Sequence, residues 1–163
     1  MGIIDKLLNK IECNTGFIYP VASINKNNTD NKNAVRDFKR ESDLKYKQDI
    51  LERENISDYQ RAQLISSLNK TTIEFYNQAQ ILNVACNNIN DSADPDQLDN
   101  DWLIYFMNKA ALISDEQMRN TWGLILAEAC DNPEICSKTL INTLSLMNKK
   151  QAETFQCICK FRF

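Results

Sequence analysis

"SDYQRAQLISSLNKTTIEFYNQAQILNVACN", residues 57–87, decides the fold class. The stretch holds neither glycine nor proline. Ser57 and Gln60 stand at the spacing of a capping box, in which each side chain satisfies a backbone N–H at the other's position. Ile65, Leu68, Thr72, Phe75, Ala79, Leu82 and Cys86 then recur at alternating three- and four-residue steps, the pattern of a heptad seam. A second apolar line through Leu64, Ile73, Tyr76, Ile81 and Val84 widens that face. The pattern predicts one long helix. Its natural use is an antiparallel hairpin or a coiled-coil pairing between chains, so Ile65, Leu68, Thr72, Phe75, Ala79 and Leu82 form a candidate self-association seam.

Upstream, residues 34–54 ("AVRDFKRESDLKYKQDILERE") interleave opposite charges at helical neighbour spacings, such as Asp37 with Arg40 and Asp49 with Arg53. The apolar positions Val35, Phe38, Leu44 and Leu51 are too sparse for a free-standing helix, so this segment leans on the seam helix. Together residues 34–90 read as a long charged helical hairpin. Residues 23–33, polar and without periodicity, read as a linker. Residues 1–22 read as an amphipathic helix and a turn broken by Gly16 and Pro20. In that helix Ile3, Ile4, Leu7, Leu8 and Ile11 share one face, which suits docking on the body or lying on a membrane surface.

Residues 91–163 read as a C-terminal bundle of short helices. Asp94-Pro95 is a start signal, with aspartate as the cap and proline at the first helical position. Leu98, Trp102, Phe106, Ala110 and Ile113 follow one face. Ser114 and Gln117 form a second capping box ahead of Met118, Trp122, Ile125, Leu126 and Ala129. Asn132-Pro133 ends that helix, and Ser137 caps the next. A last helix begins near Lys149 with Ala152, Phe155, Ile158 and Cys159 inward. Trp102 and Trp122 are expected to pack in one core, with Gly123 allowing a neighbouring helix to approach closely. The fold class is all-α: a long charged helical hairpin followed by a bundle of short helices. With only three glycines and three prolines in 163 residues, turn-rich β architectures are disfavoured.

Composition narrows function by exclusion. The chain has no histidine, so it lacks the commonest general base and metal ligand, and no Ser-His-Asp or Cys-His arrangement exists within it. Its net charge is −3, and neither half has the positive excess that nucleic-acid binding relies on. Isolated glycines build no phosphate cradle. Six cysteines without a secretory signal point to reduced thiols in the cytoplasm. No apolar run is long enough to span a membrane. Cys130, Cys136, Cys157 and Cys159 have poor spacing for zinc, which favours two- to four-residue knuckles. The aspartates at 91, 94, 96, 99 and 101 lack the glycine and glutamate of a calcium loop, and helix capping accounts for them better. No catalytic residue, cofactor, metal or small-molecule substrate is indicated.

From Asp99 onward, "DNDWLIYFMNKAALISDEQMRNTWGLILAEACDNPEICSKTLINTLSLMNKKQAETFQCI" resembles an uncharacterised bacterial family, a domain of unknown function numbered two-eight-zero-six. The likeness rests on Asp101-Trp102, the Ser114–Gln117 start, Trp122-Gly123, Leu126-Ala127, Pro133, Thr139-Leu140, and Ala152 with Phe155. The "NTGFIYP" turn is similar as well. A weaker likeness over a shorter stretch is to the abortive-infection alpha proteins, associated with bacterial defence against phage. The chain departs from the family pattern at Glu128, Ala129 and Glu134. The family carries no established catalytic residues, so the resemblance implies fold and bacterial origin, with Trp102, Trp122, Gly123 and Pro133 as its core motif. The chain stops within a helical pattern at "CKFRF", as an N-terminal portion of a longer protein would.

Three functions fit these readings. The first is a non-enzymatic interaction protein that self-associates through the long helices, with a place in phage defence. The second is a membrane-surface effector anchored by residues 3–11, peripheral to the inner membrane face. The third is a thiolate- or carboxylate-metal protein.

Overall fold

A computed structural model describes residues 2–20 and 30–162. Among them are seven α-helices and two short 3₁₀ turns, and no strand occurs. The helices are α1 (Ile3–Thr15), α2 (Asp30–Leu51), α3 (Asp58–Asn88), α4 (Asn100–Ala110), α5 (Glu116–Asp131), α6 (Lys138–Leu146) and α7 (Lys149–Arg162). The all-α expectation is met.

The long helix α3 is the spine. Its capping box forms as the spacing predicts: Gln60 N–H donates to Ser57 Oγ, and Ser57 N–H donates to Gln60 Oε1. Its C-terminal half, from Asn77 to Cys86, enters the core against α5 and α4. Its N-terminal half pairs with α2 as an antiparallel hairpin and has no fully buried residue before Asn77. At the hairpin tip the Arg61 guanidinium donates to the carbonyls of Ile50, Leu51 and Arg53 at 2.6, 2.9 and 2.8 Å. Those groups end α2, and carbonyls at a helix C-terminus have no intrahelical donor.

The core is one cluster that joins both parts of the chain. Phe106 bridges the two tryptophans, with ring centroids 5.3 Å from both Trp102 and Trp122. All three are buried, as the inward-facing periodicity predicts. Gly123 marks the closest approach of α5 to α3. A Cβ there would lie 2.4 Å from Val84 Cβ and 2.8 Å from the Ile81 carbonyl oxygen, distances that real side chains do not reach.

Several boundaries differ from the sequence reading. Helix α5 is capped by Asp115, whose Oδ1 accepts from Met118 N–H at 3.0 Å, and not by Ser114. Serine and aspartate are equally good caps, and Asp115 has the extended conformation that a cap requires (φ −75°, ψ 132°). Asp94-Pro95 opens only the 3₁₀ turn Pro95–Gln97, because the chain is extended again at Leu98. Asp99 then caps α4 by accepting from Trp102 N–H. The linker expected at 23–33 lies partly outside the described residues, and its last positions, 30–33, belong to α2. Among the described residues Lys39 pairs with Asp43, at four-residue spacing, and the expected pairs Asp37–Arg40 and Asp49–Arg53 do not form. In α7 Ala152 is buried and Phe155 half-buried, but Ile158 is exposed. Cys159's side chain lies outside the description.

Candidate functional site

The N-terminal face is occupied by the body of the protein. Leu7 and Ile11 are fully buried, and Ile3, Ile4 and Leu8 pack partly against the core, with α1 seated on α4 and the first 3₁₀ turn. Lys10 Nζ donates to the Asp96 carbonyl at 2.8 Å across that contact. Of the two uses read for this face, docking is the one realised. A membrane surface would have to displace it from a core it completes.

The seam divides in two. Ala79 and Leu82 are fully buried inside the chain, against α4 and α5, and are not available to a partner. This corrects the continuous seam, because heptad spacing reveals an apolar face without saying what covers it. Phe75 is stacked on Phe17 from the turn after α1, at a centroid distance of 4.8 Å. Gly16 makes that turn: its positive φ of 75° ends α1, and its N–H donates to the Glu12 carbonyl. Leu68, Thr72 and Phe75 line a shallow groove of about 310 Å³ between α2 and α3, together with Phe38 and Tyr46; Ile65 is half-buried.

Beyond the groove the hairpin carries uncovered apolar side chains. Of fifteen exposed large apolar side chains among the described residues, eight lie between Phe38 and Phe75: Phe38, Leu44, Tyr46, Leu51, Tyr59, Leu64, Ile73 and Phe75. Phe38, Leu44 and Leu51 were expected to lean on the seam helix. All three remain exposed instead, Phe38 at the rim of the groove, and Val35 and Ile50 make the buried apolar contacts of α2.

A second feature was not read from the sequence. Tyr76, Gln80, Asn83 and Asn87 form a polar stripe at four-, three- and four-residue steps along α3, facing a cleft of about 690 Å³. The cleft is walled by α2 (Lys32, Arg36), the start of α5 (Glu116, Arg119) and α7 (Glu153). Asn83 is only 4% exposed, and its Oδ1 has no donor. Asn87 Oδ1 and Arg119 Nε are likewise buried without partners. Each such group costs about 1–3 kcal/mol. Lys32 is paired with Glu116, whose carboxyl it holds below the ordinary range. The Arg119 guanidinium lies over the Tyr76 ring, 5.0 Å from its centroid. Burial alone would raise the Tyr76 phenol, but hydrogen bonding from Gln80 and the cations Arg119 and Arg36 bring it below its usual value. The signal was present as a polar line at helical spacing, hidden because two apolar lines share the same helix.

The thiols are separated by environment. Burial pushes Cys86 and Cys130 up to about 12, and Cys136 to about 11. Cys13 and Cys157 are exposed. Asp94 and Asp99 serve as caps. Among the described residues no three Cys, Asp or Glu side chains converge on a metal-sized site. No described helix is long and apolar enough to cross a membrane.

A family model described as a protein of unknown function (DUF2806) matches residues 60–163. The chain belongs to the DUF2806 family. The matched region runs from the first turn of α3 through α7, so it takes in Trp102, Trp122, Gly123 and Pro133, and most of the polar cleft. The abortive-infection likeness finds no support among the matches. Neither a curated protein nor a solved structure matches the chain significantly.

Proposed function

We propose that this DUF2806 protein is a non-enzymatic helical interaction module that self-associates through the outer part of its α2–α3 hairpin. The observation that carries the reading is the concentration of uncovered apolar side chains between Phe38 and Phe75. Phe38, Tyr46 and Phe75 border one apolar groove, and exposed apolar surface of that kind marks interaction sites.

A second copy is the occupant that the charges suit. Helix α2 carries six basic and five acidic residues, interleaved along its length, and the facing half of α3 adds Asp58, Arg61, Lys70 and Glu74. A nearly neutral surface with alternating signs mates with a rotated copy of itself without net repulsion. Pairing two hairpins gives a four-helix arrangement, the usual way for a two-helix hairpin to cover both faces. A place in phage defence is no part of the proposal, since only the abortive-infection likeness spoke for it.

The double variant Leu44→Glu/Ile73→Glu tests it. Both side chains are exposed, so the fold and its circular dichroism are expected to stay unchanged while the assembly dissociates. Retention of the wild-type assembly by this variant would remove the hairpin as its cause.

A further inference from the structure

The charges of the α2–α3 hairpin interleave, but they are not spread evenly along it. From Arg36 to Arg40, at the root near the core, stand three cations and one anion. From Glu41 round the tip to Arg61 stand six anions and four cations. The root is thus positive by two charges and the tip negative by two. Further in, Lys32 is already engaged by Glu116, and on the facing stretch of α3 Lys70 lies 4.0 Å from Glu74, so neither reverses that difference. Lys39 and Arg119 both lie against the Tyr76 ring, 5.5 and 5.0 Å from its centroid, which gathers positive charge at the root.

The shape of the chain points the same way. From Asn77 onward α3 is enclosed by α4 and α5, whereas before Asn77 the helix that lies along it is α2. The stretch from Asp58 to Tyr76 therefore projects by about 28 Å at 1.5 Å per helical residue. Packed helices stand about 8–10 Å apart. Two hairpins at that separation in parallel would bring both copies of α1, α4 and α5 to the same end, where there is no room for them.

We infer that two copies pair their hairpins antiparallel about a two-fold axis, the negative tip of each lying along the positive root of the other. The inference rests on self-association through the hairpin and adds its direction and its dependence on ionic strength. Parallel hairpins would set tip against tip and root against root, so like charges would meet at both ends. Antiparallel pairing turns both meetings into attractions and places the two cores at opposite ends. The apolar groove runs from Val35 to Tyr46 and straddles the change of sign between Arg40 and Glu41. The contact then has an apolar centre and a charged rim, as protein interfaces commonly do.

The experiment is light scattering of the full chain and three charge variants across a range of concentrations. Glu52→Lys/Glu54→Lys reverses the tip, and Arg36→Glu/Arg40→Glu reverses the root. All four side chains are exposed, so circular dichroism and the thermal midpoint are expected to stay near the wild type. Each double variant puts like charges at both tip–root contacts. Each is expected to weaken assembly at least about tenfold in about 50 mM salt, and by less in about 500 mM salt, where screening takes hold. The quadruple variant keeps the net charge of −3 with its polarity inverted, and is expected to assemble within about threefold of the wild type. Wild-type assembly by both double variants, or a quadruple variant no tighter than the doubles, overturns antiparallel pairing and leaves hairpin association standing. A wild-type mass of one chain throughout removes self-association, and the pairing direction falls with it.

Discussion

Single residues carry much of the packing, and some of them were readable in advance. Gly123 in mid-helix signals a close neighbour, and the neighbour is Val84 with the Ile81 backbone. Gly123→Ala is therefore expected to destabilise by about 1–3 kcal/mol, since overpacking costs this much when a backbone oxygen cannot yield. In a chain of this length that lowers the thermal midpoint by roughly 2–12 °C. Val84→Ala in the same background does not restore stability, because the atom in the way is the Cβ that alanine retains. An unchanged midpoint for Gly123→Ala would mean that α5 and α3 are not in this contact. The thiols give a pH prediction. The Cys86 and Cys130 thiols sit at about 12 in the folded chain, against 9.0 when exposed. The folded state thus holds its protons longer than the unfolded state does. Stability is flat through neutral pH and declines as pH rises past about 9, where the unfolded thiols ionise. Alkylation mapped by mass spectrometry at pH 8 should mark Cys13 and Cys157 first and leave Cys86 and Cys130 protected until denaturant is added; rapid labelling of Cys86 would refute its burial. What the residue pattern did not reveal was the Tyr76–Asn87 stripe, because side-chain polarity on a long helix reads equally well as solvated surface. Only the burial of Asn83 separates the two.

At the scale of the element, the helix starts at Ser57 and Ser137 were legible from their capping residues. The same Ser-Asp pair stands at 57–58, where the serine caps, and at 114–115, where the aspartate does, so local chemistry alone does not choose between adjacent good caps. Helix α7 has a reciprocal cap of its own, Asn148 with Gln151, which the residue types permit and the reading passed over. The closure of the hairpin depends on a long-range contact no local pattern encodes: Arg61 reaching back to three carbonyls at the end of α2. Bonds from a charged donor to carbonyls are stronger than neutral ones, though this side chain is partly in solvent. Arg61→Ala should cost about 1–2 kcal/mol and loosen the hairpin tip without disturbing the core. Hydrogen exchange is the direct measure. Amides of residues 45–60 are predicted to exchange faster in the variant, while those of 79–86 keep their protection. Uniform acceleration across both segments would show that the hairpin and the core open as one unit.

For the molecule as a whole, periodicity identified helices, faces and the tryptophan core, but it did not separate apolar surface that the chain covers from surface that it leaves open. The same α3 line runs from Leu68 and Phe75 in an open groove to Ala79 and Leu82 in a sealed core. The face of α1, equally apolar by pattern, proved to be core. The outer hairpin, more heavily charged, is the part left uncovered. That contrast is the basis for proposing that assembly belongs to the hairpin. The measurement that bears most directly on assembly is the solution mass by light scattering over about a hundredfold range of protein concentration, because a self-associating chain changes mass with concentration as mass action requires. Self-association through the hairpin predicts twice the 18.8 kDa chain mass, or a higher multiple, at the upper concentrations, and the single-chain mass throughout for Leu44→Glu/Ile73→Glu. A wild-type mass of one chain across the whole range would contradict it.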